Sequence, residues 1–188
     1  FLLVAVTVII PFLYPTDIPM RVTPEVQKLY NAVEAIPNGS NVILTFDMYA
    51  QALAETEPMT RSALHQLWRK DCKIVTLTTI PFGGPSVAER VTRELAAEYH
   101  KTYGIDFVNL GYKPNYVSVL RGLGTSIEGI YPTDNSGTPL AQLPLMQTVK
   151  SYSDVKYIFV VADNGIIDYW ISIVRAQFSV PMAAGVTA

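Results

Sequence analysis

The sequence is short of cysteine, histidine and charge, and each shortage closes a class of explanation. A single cysteine, Cys72, cannot form an internal disulfide, so the fold does not rest on one. Only two histidines occur, His65 and His100, without metal-ligand spacing, and no metal centre is expected. Charged residues make up 16% of the chain, against about 25% in an ordinary soluble domain. With a net charge of -2 and no run of Lys or Arg there is no basic stripe, and nucleic acid is excluded as a partner. No P-loop, G-x-S-x-G elbow or dinucleotide fingerprint is present; Gly122-Leu123-Gly124 lacks the third glycine and does not follow the first strand. No cofactor and no conventional nucleophilic triad are therefore expected.

What the chain has instead is apolar surface, 49% of its residues. Part of it is concentrated in Phe1–Tyr14, FLLVAVTVIIPFLY, which carries no charge and is followed by Pro15, Pro19 and the first cation, Arg21. A membrane-spanning helix needs roughly 17 to 25 apolar residues. The run is shorter, yet it starts apolar at residue 1 with no Met and no charged flank. It is read as the C-terminal part of a transmembrane helix over residues 1–15, with 16–24 as a proline-rich linker. A buried first strand is the alternative, because the run is rich in β-branched residues. A cleaved signal peptide fits less well, for want of a small-residue cleavage site.

Residues 25–188 read as a single α/β domain. Thr23-Pro24-Glu25 is a helix start, and the helix is expected to bury Val26, Leu29, Tyr30 and Val33. Apolar runs at 41–46, 73–77, 106–110, 157–162 and 180–186 predict strands covered on both faces. Helices are expected at 58–70, at 86–103 closed by Gly104, at 115–130 interrupted by Gly122 and Gly124, and at 166–178. The stretch 139–152 reads as a further helical or irregular piece. Ser86 and Glu89 have the spacing of a capping box. The alternation predicts a parallel sheet with right-handed crossovers, Rossmann-like or flavodoxin-like. Val180–Thr187 is an apolar strand pattern without a polar tail, so the domain is expected to continue past Ala188.

In open parallel sheets ligands bind beyond the carboxyl ends of the strands. Those ends hold Asp47, Thr78 with Thr79, Gly111-Tyr112-Lys113, and Asp163-Asn164-Gly165, joined by the polar loop Tyr131–Thr138 that contains Asp134. Asp47, Lys113, Asp134 and Asp163 are expected on one rim, with Thr78 and Asn164 beside them. Carboxylates there suit a divalent cation or a general base, and Lys113 an anion. The plainer reading is that Asp47, Asp163 and Asn164 serve helix caps and turns. Phe82–Ser86 leads into a helix N-terminus, a geometry that holds anions, although a simple cap accounts for it.

The run Asp106–Pro114 (DFVNLGYKP), the loop Tyr131-Pro132-Thr133-Asp134 with Gly137-Thr138-Pro139, Leu143–Met146 and the ending Gly185–Ala188 resemble an uncharacterised family of prokaryotic membrane-anchored α/β proteins. The resemblance covers most of the chain from Pro15 onward. It implies an N-terminal helix, one α/β domain and a further hydrophobic segment, but no activity and no functional residue.

The function expected from all this is a non-enzymatic α/β module, tethered to the cell membrane through its N-terminal segment. It would assemble with other membrane proteins or as a homo-oligomer, with the domain on the extracytoplasmic side of a single-pass or two-pass chain. Tyr112, Tyr116, Tyr131, Tyr169 and Trp170 are candidate anchors for a ligand or a subunit. The alternative is a small-molecule-binding or hydrolase-like domain acting at the strand-end cleft.

Overall fold

The computed structural model describes residues 2–13 and 22–187. The chain divides into two compact units, Phe1–Asn31 and Ala32–Ala188.

In the first unit, α1 (Leu2–Leu13) is a helix of 12 residues without an acidic or basic side chain at either end. The β-branched run is thus helical. At 1.5 Å per residue α1 is about 18 Å long, well short of the roughly 30 Å hydrocarbon core. Among the described residues no helix is long and apolar enough to cross a membrane. Residues 16–21 of the expected linker, with Pro19 and Arg21, lie outside the described residues, as does Pro15. Next, α2 (Pro24–Glu34) begins where Thr23 Oγ1 accepts from Val26 N at 3.4 Å. Its apolar face is not buried as expected. Val33 is fully buried, while Val26 and Tyr30 are about half exposed.

The second unit is a five-stranded, wholly parallel sheet with flanking helices. In chain order come β1 (Asn41–Asp47), a 3₁₀ turn (Ala50–Ala52), α3 (Leu53–Arg69), β2 (Lys73–Thr78), α4 (Gly84–Glu98), β3 (Phe107–Tyr112), α5 (Tyr116–Leu123) and α6 (Ile127–Ile130). Then follow α7 (Pro144–Thr148), β4 (Tyr157–Ala162), α8 (Ile166–Tyr169) running through a π-helical stretch (Trp170–Arg175) into α9 (Ala176–Phe178), and β5 (Met182–Val186). The strand order is β3-β2-β1-β4-β5, with Val42 of β1 level with Ile74 of β2 and Tyr157 of β4.

Residues 42–47 of β1, 74–78 of β2 and all of β4 are buried, as continuous apolar runs demand when both faces are covered. Alternate residues serve the two faces. Ile43, Val75, Val108, Ile158 and Val160 join Leu120, Leu123, Tyr152, Trp170 and Val174 in one core under α5 to α9. Each such aliphatic side chain is worth about 1.5–3 kcal/mol when fully buried. The helices α3 and α4 pack on each other and on the sheet. Arg61 and Arg90 both pair with Glu57 and Glu94 across them.

Several boundaries differ from the sequence reading, each for a local reason. Helix α3 starts at Leu53 and contains Pro58, because a 3₁₀ turn already leads into it. Helix α4 starts at Gly84 with Gly83 as cap, so Ser86 and Glu89 form no capping box; Ser86 Oγ donates to Gly83 O at 2.9 Å. It ends at Glu98 because His100 takes a left-handed conformation, φ 53°. Asp106 falls outside β3, its carboxylate accepting from Thr102 N at 2.9 Å in the preceding turn. In exchange β3 runs on to Tyr112 through a bulge at Gly111, φ 75°. The last strand begins at Met182, after Ser179 in a left-handed conformation and Pro181.

Candidate functional site

Strands are added outward from β1 in one direction, to β2 and β3, and then in the other, to β4 and β5. The order reverses at β1, and the crevice where ligands enter such sheets lies beyond the carboxyl ends of β1 and β4. Asp47 closes β1 there with no solvent exposure. Its Oδ1 accepts from Thr79 N at 2.6 Å and Thr79 Oγ1 at 2.8 Å, and its Oδ2 from Trp170 Nε1 at 3.0 Å. Burial pushes its carboxyl above the usual carboxylate range, while the donors from Thr79 and Trp170 pull the other way. Thr45 Oγ1 faces the same carboxylate without completing a hydrogen bond of normal geometry.

Asp163 and Asn164 follow β4 and stitch it to the end of β1. Both Asp163 oxygens accept from Tyr49 N at 3.2 Å. Asn164 Nδ2 donates to Asp47 O at 2.8 Å and to Asp163 Oδ1 at 3.0 Å, while its Oδ1 accepts from Ile166 N at 3.0 Å. Thr78 is buried, its hydroxyl both donating to Ile80 O and accepting from Ile80 N. Asp47, Thr78, Asp163 and Asn164 thus meet at the reversal point. What they do there is hold loops: the carboxylates accept backbone, hydroxyl and indole donors, and neither caps the helix that follows its strand.

Lys113 and Asp134 bond to none of these four residues. Lys113 Nζ donates to Ile130 O and lies 5.3 Å from the Tyr131 ring centroid. Asp134 anchors its own turn, Oδ1 accepting from Ser136 N and Thr138 N at 2.8 Å, and Oδ2 from Tyr103 OH at 2.7 Å. Burial and that carboxylate push the Tyr103 phenol well above its ordinary value. Among the described residues no three His, Cys, Asp or Glu side chains group as a metal site.

The segment Phe82–Ser86 is likewise occupied by packing. Gly84 N donates to Met48 O at 3.1 Å. A Cβ built on Gly84 would run into the Phe46 carbonyl oxygen and come 2.6 Å from Thr78 Oγ1. Gly83, at φ 92°, lies against the backbone of residues 48–50. The two glycines therefore let α4 start hard against the end of β1. Gly84→Ala is expected to cost about 1–3 kcal/mol through overpacking. Urea unfolding checks this, and an unchanged midpoint would refute the close approach.

Three further residues take part, read from the sequence as a strand-end threonine and as aromatic anchors but not as partners of Asp47. Thr79 and Trp170 supply the Asp47 donors. The third is the Tyr131 hydroxyl, buried without a hydrogen-bond partner, its phenol pushed up chiefly by burial and then by the Asp47 charge. The sequence signal for Trp170 is only general: a buried indole N–H needs an acceptor. Trp170 also opens the π-helical stretch, a distortion frequent at functional sites. Chemically, Asp47 is a buried acceptor of three hydrogen bonds rather than a base open to solvent. Comparison of the chain with protein-family models, curated proteins and solved structures finds no match.

Proposed function

We propose that the chain is a non-enzymatic α/β module, tethered to the membrane by its N-terminal segment, that assembles with other membrane proteins or with copies of itself. The observation that carries this reading is α1, on which Leu3, Val4, Ile9, Ile10 and Leu13 are each more than half exposed. Apolar surface gains roughly 25 cal/mol per Å² on leaving water, so such a helix favours hydrocarbon or an apolar partner. The bound state of the strand-end residues adds support, since Asp47, Asp163, Asp134 and Lys113 are engaged in holding loops. The order β3-β2-β1-β4-β5 favours the Rossmann-like over the flavodoxin-like form of the fold. Membership of the prokaryotic membrane-anchored family, with the domain outside the cytoplasm, is part of the same proposal.

Fractionation tests it. The chain is expected in the membrane pellet after an alkaline wash, and Ile9→Glu with Ile10→Glu should move it to the supernatant. A wild-type chain found only in the supernatant would overturn the tether.

One observation favours a second reading, a small-molecule-binding or hydrolase-like centre at the reversal point. The Tyr131 hydroxyl is buried, unpartnered and within electrostatic reach of Asp47, and a ligand oxygen would satisfy it. Thermal melts against a panel of small carboxylates and phosphates decide: a ligand whose stabilisation disappears in Tyr131→Phe supports the site.

A further inference from the structure

Buried polar side chains in folded proteins find partners, and an exception calls for an occupant or a strain. Among the described residues three buried side-chain polar atoms have no hydrogen-bond partner: Thr45 Oγ1, Trp68 Nε1 and the Tyr131 hydroxyl. Two of the three gather around Asp47. Thr45 Oγ1 faces its carboxylate, and the Tyr131 hydroxyl lies within reach of its charge. Thr45 and Asp47 are alternate residues of β1 and so share the face that Ile43 turns to the core under α5 to α9. Tyr131 and Trp170 belong to that same core. Ala162, level with Asp47 in β4, has only a Cβ and leaves space beside the carboxylate.

The atoms left uncommitted are all oxygens. Among the described residues Asp47 Oδ2 accepts one hydrogen bond, from Trp170 Nε1, and keeps lone-pair capacity beside the two hydroxyls. No described lysine or arginine forms an ion pair with Asp47. A carboxylate buried without such a partner keeps its proton or takes a cation. Oxygen ligands without nitrogen or sulfur select a hard ion. Calcium takes about six to eight oxygens and magnesium keeps several waters, more than fits among Thr45, Asp47 and Tyr131, which are 0%, 0% and 3% exposed. The same burial leaves no opening for a ligand of molecular size, whereas a single ion of one positive charge matches the one carboxylate.

We propose that the Asp47 carboxylate and the Thr45 and Tyr131 hydroxyls hold a monovalent cation, sodium or potassium, at the reversal point of the sheet. This deepens the second reading above and rests on its premise that the reversal point takes a ligand. The ion neutralises Asp47 in the interior and gives each of the two hydroxyl oxygens a partner. Thr79 and Trp170 fix the carboxylate from its other sides, so the donor set is held in place before the ion arrives.

Thermal melts of the full chain in detergent test it, with choline chloride replaced by sodium or potassium chloride at constant ionic strength. Screening is then the same in all three salts, and choline is too large for the site. One of the two metal ions is expected to raise Tm by about 2 °C or more, increasing with the logarithm of its concentration. Thr45→Val and Tyr131→Phe should each abolish that response. In choline chloride both variants should melt no lower than wild type, because each removes a hydroxyl that has no partner there. A role in packing alone would lower their melts and leave the salt response in place. Thallium(I) soaked into crystals gives a second readout, with anomalous density expected between Asp47 and Tyr131, and it decides alone should a variant fail to fold. Equal wild-type melts in the three salts, a response that survives in both variants, or thallium density only elsewhere would each overturn the proposal; the first is the result that a bridging water gives. A small carboxylate or phosphate, supplied as its choline salt, whose stabilisation is lost in Tyr131→Phe would keep the reversal-point reading even where the ion fails.

Discussion

Trp170→Ala is expected to lower the stability of the second unit by about 3–5 kcal/mol, the range for emptying a buried aromatic site. The residue has no solvent exposure and joins the core beneath α5 to α9. Its loss is not only one of volume. Among the described residues the indole N–H is the only hydrogen-bond donor to Asp47 Oδ2, at 3.0 Å, so alanine also leaves a fully buried carboxylate oxygen unpaired. Trp170→Phe separates the two effects, filling most of the space while removing the N–H, and should cost about 1–3 kcal/mol. Urea unfolding of the two variants provides the comparison. If phenylalanine proves as damaging as alanine, packing is not the larger part.

Asp47→Ala should also be costly, about 1–3 kcal/mol for each buried donor left unsatisfied, because it strands Thr79 N and Trp170 Nε1. Asp47→Asn is milder but not neutral. An amide offers one oxygen where the carboxylate offers two, so either the Thr79 N–H or the indole N–H faces a second donor, at about 1–3 kcal/mol. The informative quantity is its pH dependence. The folded Asp47 carboxyl is raised above the ordinary value of 3.8, so the folded state holds its proton longer than the unfolded chain does. That contribution is complete below the unfolded value and lost as pH rises through the raised one. Asparagine does not titrate. The advantage of wild type over Asp47→Asn in unfolding free energy should therefore shrink as pH rises above the ordinary value of 3.8, and a growing advantage would mean that the hydrogen bonds outweigh burial. A double-mutant cycle with Trp170→Phe should return a coupling of about 0.5–3 kcal/mol, since the groups touch.

Much of the sheet was readable in the chain, and the reason is its burial. Strands β1, β2 and β4 are apolar on both faces, so Asn41–Phe46, Lys73–Leu77 and Tyr157–Ala162 needed no periodicity to stand out. Helix starts were less legible. Ser86 and Glu89 have capping-box spacing, but the approach of Gly84 to the Phe46 carbonyl depends on a strand some forty positions earlier, and sequence spacing does not encode it. Asp47, Asp163 and Asn164 were legible as strand-end residues because the strands were. Their partners were not, since the Asp47–Trp170 bond joins positions 123 apart. The partners of Lys113 and Asp134 were not legible for a related reason: they are Ile130 and Tyr103, and a strand-end rule cannot see either.

The same long separation bears on how the protein is made. In the finished sheet β1 lies between β2, which follows it closely in the chain, and β4, whose Tyr157 pairs with Val42. Translation proceeds at about 5–20 residues per second, so β4 leaves the ribosome on the order of ten seconds after β1. During that interval β1 can pair with β2, and β2 with β3, while the other flank of β1 has no partner. If β1 and β2 pair in that interval an apolar flank stays uncovered, and slowing elongation just before β4 is then expected to raise the dependence of the chain on chaperones.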